Sequence, residues 1–210
     1  MRLGKFNIIP FILFIFYTVG IVGISIHDLR SLTVSLTPMN LLLTMFLLLW
    51  GNGKLNVKVI SAVIVAFILG FLVEVVGVQT GVLFGSYKYG EPLGLKLFDV
   101  PLMIGINWFL LSFSSLGLVG QLFKNRYLKV FLSSLLMVAL DVLIEPIAVE
   151  LDFWSWENSN IPIQNFVMWF IAAIVINYFV DNLYSGINFK VSAYVFLAQV
   201  YFFGVLNLIF

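Results

Sequence analysis

Glu74, Asp141 and Glu145 each stand inside a run of apolar residues long enough to cross a bilayer. A carboxylate at the bilayer centre costs about 2.5–3.5 kcal/mol on insertion scales, so an acid there is a candidate for function. Asp141 and Glu145 are separated by one helical turn, which puts both on one face. No lysine or arginine in a span interior stands ready to neutralise the three acids. Low dielectric and neighbouring like charge both oppose ionisation, so at least one acid is expected to keep its proton at neutral pH. A carboxylic acid held neutral in an apolar pocket is a general acid suited to a weak base. Intramembrane acids can instead act as hydrogen-bonding glue between helices. Glue is the expectation for Asp181, which lies near one end of its run. It does not explain two like charges one turn apart. Pro146 directly follows Glu145 and is expected to kink or end the helix, freeing a carbonyl near Val142 for a water.

Aromatic residues surround the acids in sequence. Gly77, Gly81, Gly85 and Gly90 alternate with Phe84, Tyr87 and Tyr89 in "GVQTGVLFGSYKYG". Asn107 and Trp108 follow Pro101, and "FWSWENSNIPIQNFVMW" supplies Trp154, Trp156, Pro162, Asn165 and Trp169. Tryptophans at a membrane interface are ordinary. A glycine-rich, non-helical stretch at membrane depth survives only where it is buried or lines a cavity. The first segment therefore reads as a hairpin-like loop folded over a pocket, with rings along its walls. Aromatic faces also stabilise a nearby cation. Acids and rings together suit a reaction that forms a carbocation on a hydrophobic substrate.

The elements that must position these groups follow from composition. The chain of 210 residues is 62% hydrophobic and 10% charged, whereas a soluble domain is nearer one quarter charged. It reads as an all-α, polytopic membrane helical bundle forming one transmembrane domain over residues 1–210. Seven runs fit a span: Asn7–Ile26, Leu32–Trp50, Val57–Val76, Pro101–Gly120, Tyr127–Ile147, Asn165–Tyr184 and Val191–Phe210. The first run is too long for a signal peptide and lacks a small-residue cleavage site, so it reads as a retained helix. Arg2, Lys5, Lys54, Lys58, Lys124, Arg126, Lys129 and Lys190 fall on one side; Arg30, Lys88 and Lys96 fall on the other. The excess places the N-terminus in the cytoplasm of a cell-membrane protein and the C-terminus outside. The two long aromatic loops, roughly Gly77–Val100 and Ala148–Gln164, then share the outer side and can meet over one pocket. A net charge of +1 offers nothing to a nucleic acid. The absence of cysteine and the single His27 remove thiolate chemistry and histidine-cluster metal sites.

The stretch "EVVGVQTGVLFGSYKYGEPLGLKLFDVPLMIGINW" (Glu74–Trp108) resembles the E-x-x-G-x-x-T-G-x-x-F-G-x-Y-x-Y, L-G, V-P and W pattern of the carotenoid biosynthesis membrane protein family. A second block, "DVLIEPIAVELDFWSWENSNIPIQNFVMWF" (Asp141–Phe170), is similar to its D-x-x-x-E-P, W-x-W, I/V-P-x-x-N-F and W-F pattern. The family includes bisanhydrobacterioruberin hydratases and related carotenoid 1,2-hydratases. The chain departs from the pattern at "ENSN" before Ile161, where a Tyr-Tyr-Gly-like stretch is expected, and at Val167-Met168, where a glycine is expected before Trp169. The resemblance implies a cofactor-independent lyase that hydrates the terminal C1–C2 double bond of an acyclic carotenoid. Asp141 or Glu145 would then be the proton donor. The other acid, or Glu74, would position and deprotonate the water. Phe84, Tyr87, Tyr89 and Trp108 would cover the cation and polyene, and Asn165 would orient an acid or the water. Asn107, Trp154, Trp156 and Trp169 complete the expected substrate-binding wall. Partners would be the carotenoid or isoprenoid lipid and the surrounding membrane lipids.

Other classes fit less well. A lycopene-type cyclase would use the same acids but end in ring closure. A carotenoid-binding or assembly protein would need no turnover. A retinal protein needs a Schiff-base lysine, which "VSAYVFLAQVYFFGVLNLIF" lacks. A prenyltransferase needs an aspartate-rich magnesium motif that is missing here. A transporter or proton relay also uses intramembrane acids, but the chain has no visible internal repeat.

Overall fold

The computed structural model of the chain describes residues 5–157 and 160–210. Arg2 of the N-terminal tail and Asn158 and Ser159 of the ENSN stretch lie outside these residues. Helices carry most of the chain: α1 (Lys5–Ser25), α2 (His27–Ser35), α3 (Thr37–Asn52), α4 (Val57–Thr80), α5 (Leu102–Leu122), α6 (Arg126–Glu150), α7 (Ile163–Leu183) and α8 (Phe189–Ile209). All except α2 and α3 are individually long and apolar enough to cross a membrane. The molecule is an all-α polytopic membrane bundle.

The expected second span, Leu32–Trp50, is broken. α2 and α3 meet at a 54° bend. Pro38 has no N–H to donate, and its ring crowds the carbonyl four residues earlier. The chain closes α2 with a tighter bond from Leu36 N to Thr33 O (3.1 Å) and restarts at Thr37, with Pro38 in the first turn of α3. Pro146 does not end its helix, one of the two outcomes expected of it. α6 continues through it to Glu150. Asn207 of α8 donates to the Leu143 carbonyl at 2.7 Å, so a neighbouring helix serves the backbone beside the proline.

α5 is the axis of the bundle: 78% of its span is buried, against at most half for any other span. It packs against α3, α4, α6, α7 and α8. Lipid gives helices no hydrophobic reason to associate, so close packing must hold them. Gly70 of α4 supplies such an approach, since a Cβ there would run into the Trp108 ring of α5.

Short strands cap one end of the bundle: β1 (Tyr87–Tyr89), β2 (Lys96–Leu97), β3 (Val100–Pro101) and β4 (Trp154–Trp156). β2 and β3 form a hairpin turned by Phe98 and Asp99, both at positive φ. The segment around Tyr87 is not a local hairpin, contrary to expectation. β1 pairs antiparallel with β4, which belongs to the other long loop, in the register Tyr87 to Trp156, Lys88 to Ser155 and Tyr89 to Trp154. The two loops therefore knit into one lid. Local turn chemistry cannot specify such a pairing; the helices that bring the loops together do.

Candidate functional site

Strand alternation decides what the lid presents. Tyr87, Tyr89, Trp154 and Trp156 share its inner face, while Lys88 and Ser155 take the other. Tyr87 packs on Trp156 with ring centroids 5.1 Å apart, and Tyr89 meets Trp154 edge-on at 6.0 Å. Gly81 ends α4 in the left-handed conformation (φ 65°), which turns the chain toward β1. Gly77 leaves room for Phe84, whose ring would collide with any Cβ there. From α7, Gln164 donates to the carbonyls of Val82 and Leu83 and ties the first loop down.

Each inward polar group of the lid finds a carboxyl. Glu74, buried on α4, accepts from Tyr87 Oη at 2.6 Å and Tyr89 Oη at 2.7 Å through Oε2. Its Oε1 accepts from Trp108 Nε1 of α5 at 3.0 Å. Glu145, buried on α6, accepts from Trp154 Nε1 and Trp156 Nε1 through Oε2, both at 3.0 Å. Its Oε1 accepts from Asn165 Nδ2 at 2.8 Å. The same Asn165 amide reaches Asp141 Oδ2 at 3.3 Å. Asp141 is fully buried, and its Oδ1 has no hydrogen-bond partner among the described residues. Burial, followed by the Glu74 charge, pushes the Tyr87 and Tyr89 phenols well above their ordinary range, so both stay hydrogen-bond donors.

Between the glutamates lies a cavity of about 20 Å³, lined by Glu74, Tyr87, Tyr89, Ile104, Asn107 and Glu145 and closed by Trp154, Trp156, Asn165 and Trp169. That is room for one water, and polar groups surround it. The structure thus gathers most of the expected site residues around one small chamber. Trp108 and Trp169 stack with centroids 4.2 Å apart. Trp108 reaches the chamber only through its indole N–H, and Asp141 only through Asn165. Phe84 is not a wall. It sits behind Tyr87, edge-on at 6.1 Å, wedged against Gly77. Trp154 and Trp156 are buried donors to Glu145, not a superficial interface belt. Asp181 is apart from the chamber, paired with Arg126 and Lys129 at the opposite end of α6.

A lateral opening to lipid is expected from the length of the substrate that the resemblance implies, but sequence reasoning did not locate the larger space beside the chamber. A cleft of about 430 Å³ lies among α1, α2, α3, α5 and α8. Asn107 lines both this cleft and the chamber. The bend at Leu36 forms part of its wall, as broken helices in membranes commonly do. Asn40 and Gln199, polar residues within apolar runs, were the available signal.

Residues 34–210 match a family described as carotenoid biosynthesis protein. Among curated proteins, bisanhydrobacterioruberin hydratase of Haloarcula japonica is 33% identical over 122 residues, covering 54% of this chain and 42% of the relative. The chain therefore matches less than half the length of that relative. No solved structure matches the chain.

Proposed function

Because the chain belongs to the carotenoid biosynthesis protein family, we propose that it hydrates the terminal C1–C2 double bond of an acyclic carotenoid end group, without a cofactor. The relative's printed name, a hydratase, supports this reading. So does the single observation that carries it, a water-sized chamber held between carboxyls from two helices. Asp141 is the proposed proton donor. Its Oδ1 has no donor directed at it among the described residues, so a proton there displaces no hydrogen bond. Every oxygen of Glu74 and Glu145 already accepts at least one. When the entering end group widens the chamber toward Asp141 Oδ1, the proton passes from Asp141 to C2, the C1–C2 π bond breaks, and a tertiary cation forms at C1. The Trp169 ring, which closes the chamber and stacks on Trp108, stabilises that charge through its π face. Chamber water adds to C1 and gives its extra proton to Glu145. Asn165, which touches both acids, holds them in register while the proton returns to Asp141. Alkene and water become a tertiary alcohol, and the acids end as they began. Glu74 anchors the lid by holding Tyr87 and Tyr89. The chamber belongs to the outer half of a cell membrane, with the N-terminus cytoplasmic, as the distribution of lysine and arginine supports.

The test is the pigment mass profile of cells that make an acyclic carotenoid, with and without this chain. Hydration adds the mass of one water per end group. Asp141→Asn is expected to lower turnover at least 100-fold, in the range of general acid catalysis, and Glu145→Gln comparably. Full hydration by the double variant would sink the assignment of acids. A product of unchanged mass would indicate ring closure instead, and pigment bound without conversion would indicate a carrier.

A further inference from the structure

The chamber holds a water but not the branched end of an isoprenoid chain, so the reacting end must arrive from an adjoining space. Two spaces adjoin it. One lies outside the lid and is lined by Ser86, Lys88, Ser155 and Glu157 together with Tyr87 and Trp156. Its polar lining suits water. The other is the 430 Å³ cleft, within the usual range for a small-molecule site and largely apolar. Its mouth includes Phe16, Val19 and Met39, all exposed on the membrane-facing surface. A lipid can enter here directly from the bilayer, and Asn107 is the wall it shares with the chamber.

Two groups in the cleft ask for more than hydrocarbon. Gln199 of α8 is only 4% exposed, and its Nε2 has no partner among the described residues. Asn40 of α3 carries an equally unpartnered Oδ1. A buried donor and a buried acceptor without partners are each costly, and apolar ligand atoms would leave both unmet. A hydroxyl carries both complements, an oxygen that can accept from Gln199 Nε2 and a proton to donate to Asn40 Oδ1. We infer that this cleft is the binding site for the unreacting arm of the substrate, an isoprenoid chain carrying a hydroxyl that Gln199 and Asn40 recognise. This rests on the hydratase reading for what lies beyond Asn107, and it adds which space holds the chain and what chemistry it selects.

Binding is measured on the full chain in nanodiscs, with geranylgeraniol and the matching hydrocarbon that lacks the hydroxyl as probes. Wild type is expected to hold the alcohol about tenfold tighter. Gln199→Met keeps the side-chain volume and is expected to erase that preference, weakening the alcohol and tightening the hydrocarbon, which no longer leaves a donor unmet. Asn40→Leu is a second, independent variant with the same expectation. Leu43→Trp fills the cleft and is expected to weaken both probes at least tenfold. Equal binding of the two probes by wild type means that a water satisfies the pair, and overturns the proposal. Alcohol binding that is indifferent to Gln199→Met and Asn40→Leu, or probe binding that is indifferent to Leu43→Trp, overturns it as well. The same measurements on the Asp141→Asn/Glu145→Gln variant separate binding from turnover. A chain that binds in this pattern and never hydrates keeps the cleft and loses the hydratase reading. A chain that hydrates and ignores Leu43→Trp loses the cleft alone.

Discussion

Three N–H or O–H donors meet each glutamate of the chamber, and that convergence fixes which residues matter at the level of single side chains. Two of the donors, Tyr87 and Tyr89, are themselves titratable, which makes lid closure dependent on pH. Burial and then the Glu74 charge raise both phenols well above the ordinary value of 10.0. In the unfolded chain they ionise near that ordinary value. Folding therefore favours their protonated forms, and the stability they contribute is complete below pH 10 and declines as pH rises beyond it. Thermal unfolding of the chain in nanodiscs, followed from about pH 8 to about pH 11, is expected to show a midpoint that is level and then falls. Lysines also lose charge in that range, so Tyr87→Phe/Tyr89→Phe is the control. The double variant should fall less steeply. An identical fall would mean that the phenols titrate as free groups and do not seal the chamber.

At the scale of elements, the sequence read clearly where polarity broke an apolar run and poorly where geometry decided. Glu74, Asp141 and Glu145 stand out because an acid in a membrane span is costly, and the structure sets Glu74 and Glu145 around one chamber with Asp141 beside it through Asn165. Asn40 and Gln199 did not stand out, since a neutral amide is far cheaper to insert. The break at Leu36 follows from Pro38, yet the run stays apolar across it, so hydropathy alone joined α2 and α3. The β1–β4 pairing had no local signal, because its register depends on where α4 and α6 end. Pro146 signalled a helix end that α6 does not take. It disturbs a helix that the neighbouring α8 then supports through Asn207. Gly77 carries a prediction here, since α4 can continue toward the lid only if Phe84 lies flat on its glycine. Gly77→Leu drives a side chain into that ring and should cost about 1–3 kcal/mol by overpacking. The loss should appear as a lower melting midpoint together with faster proteolysis of the segment from Gly81 to Gly90. A variant as stable and as resistant as wild type would mean that the lid does not lean on Phe84.

For the whole molecule, the arrangement has a direction. The lid and chamber occupy one end, and the Asp181–Arg126–Lys129 cluster occupies the other. The lateral cleft offers a route from lipid that does not pass through the lid. The proposed reaction joins water to a lipid and so needs two entrances of opposite polarity, and the polar hollow outside Tyr87 and Trp156 suits the aqueous one. The charge bias predicts that this hollow faces outside, and the chain makes the test clean because its 210 residues contain no cysteine. Ser155→Cys puts a thiol on the outward side of β4, and Lys124→Cys puts one in the exposed turn between α5 and α6 at the far end. A membrane-impermeant maleimide applied to intact cells should label the first and spare the second. Permeabilised cells should show both labelled. The opposite pattern would turn the molecule over, place the lid in the cytoplasm and make the cytoplasmic leaflet the source of its water. In either orientation the lipid path proposed through the cleft is the same, so only the origin of the water depends on this result.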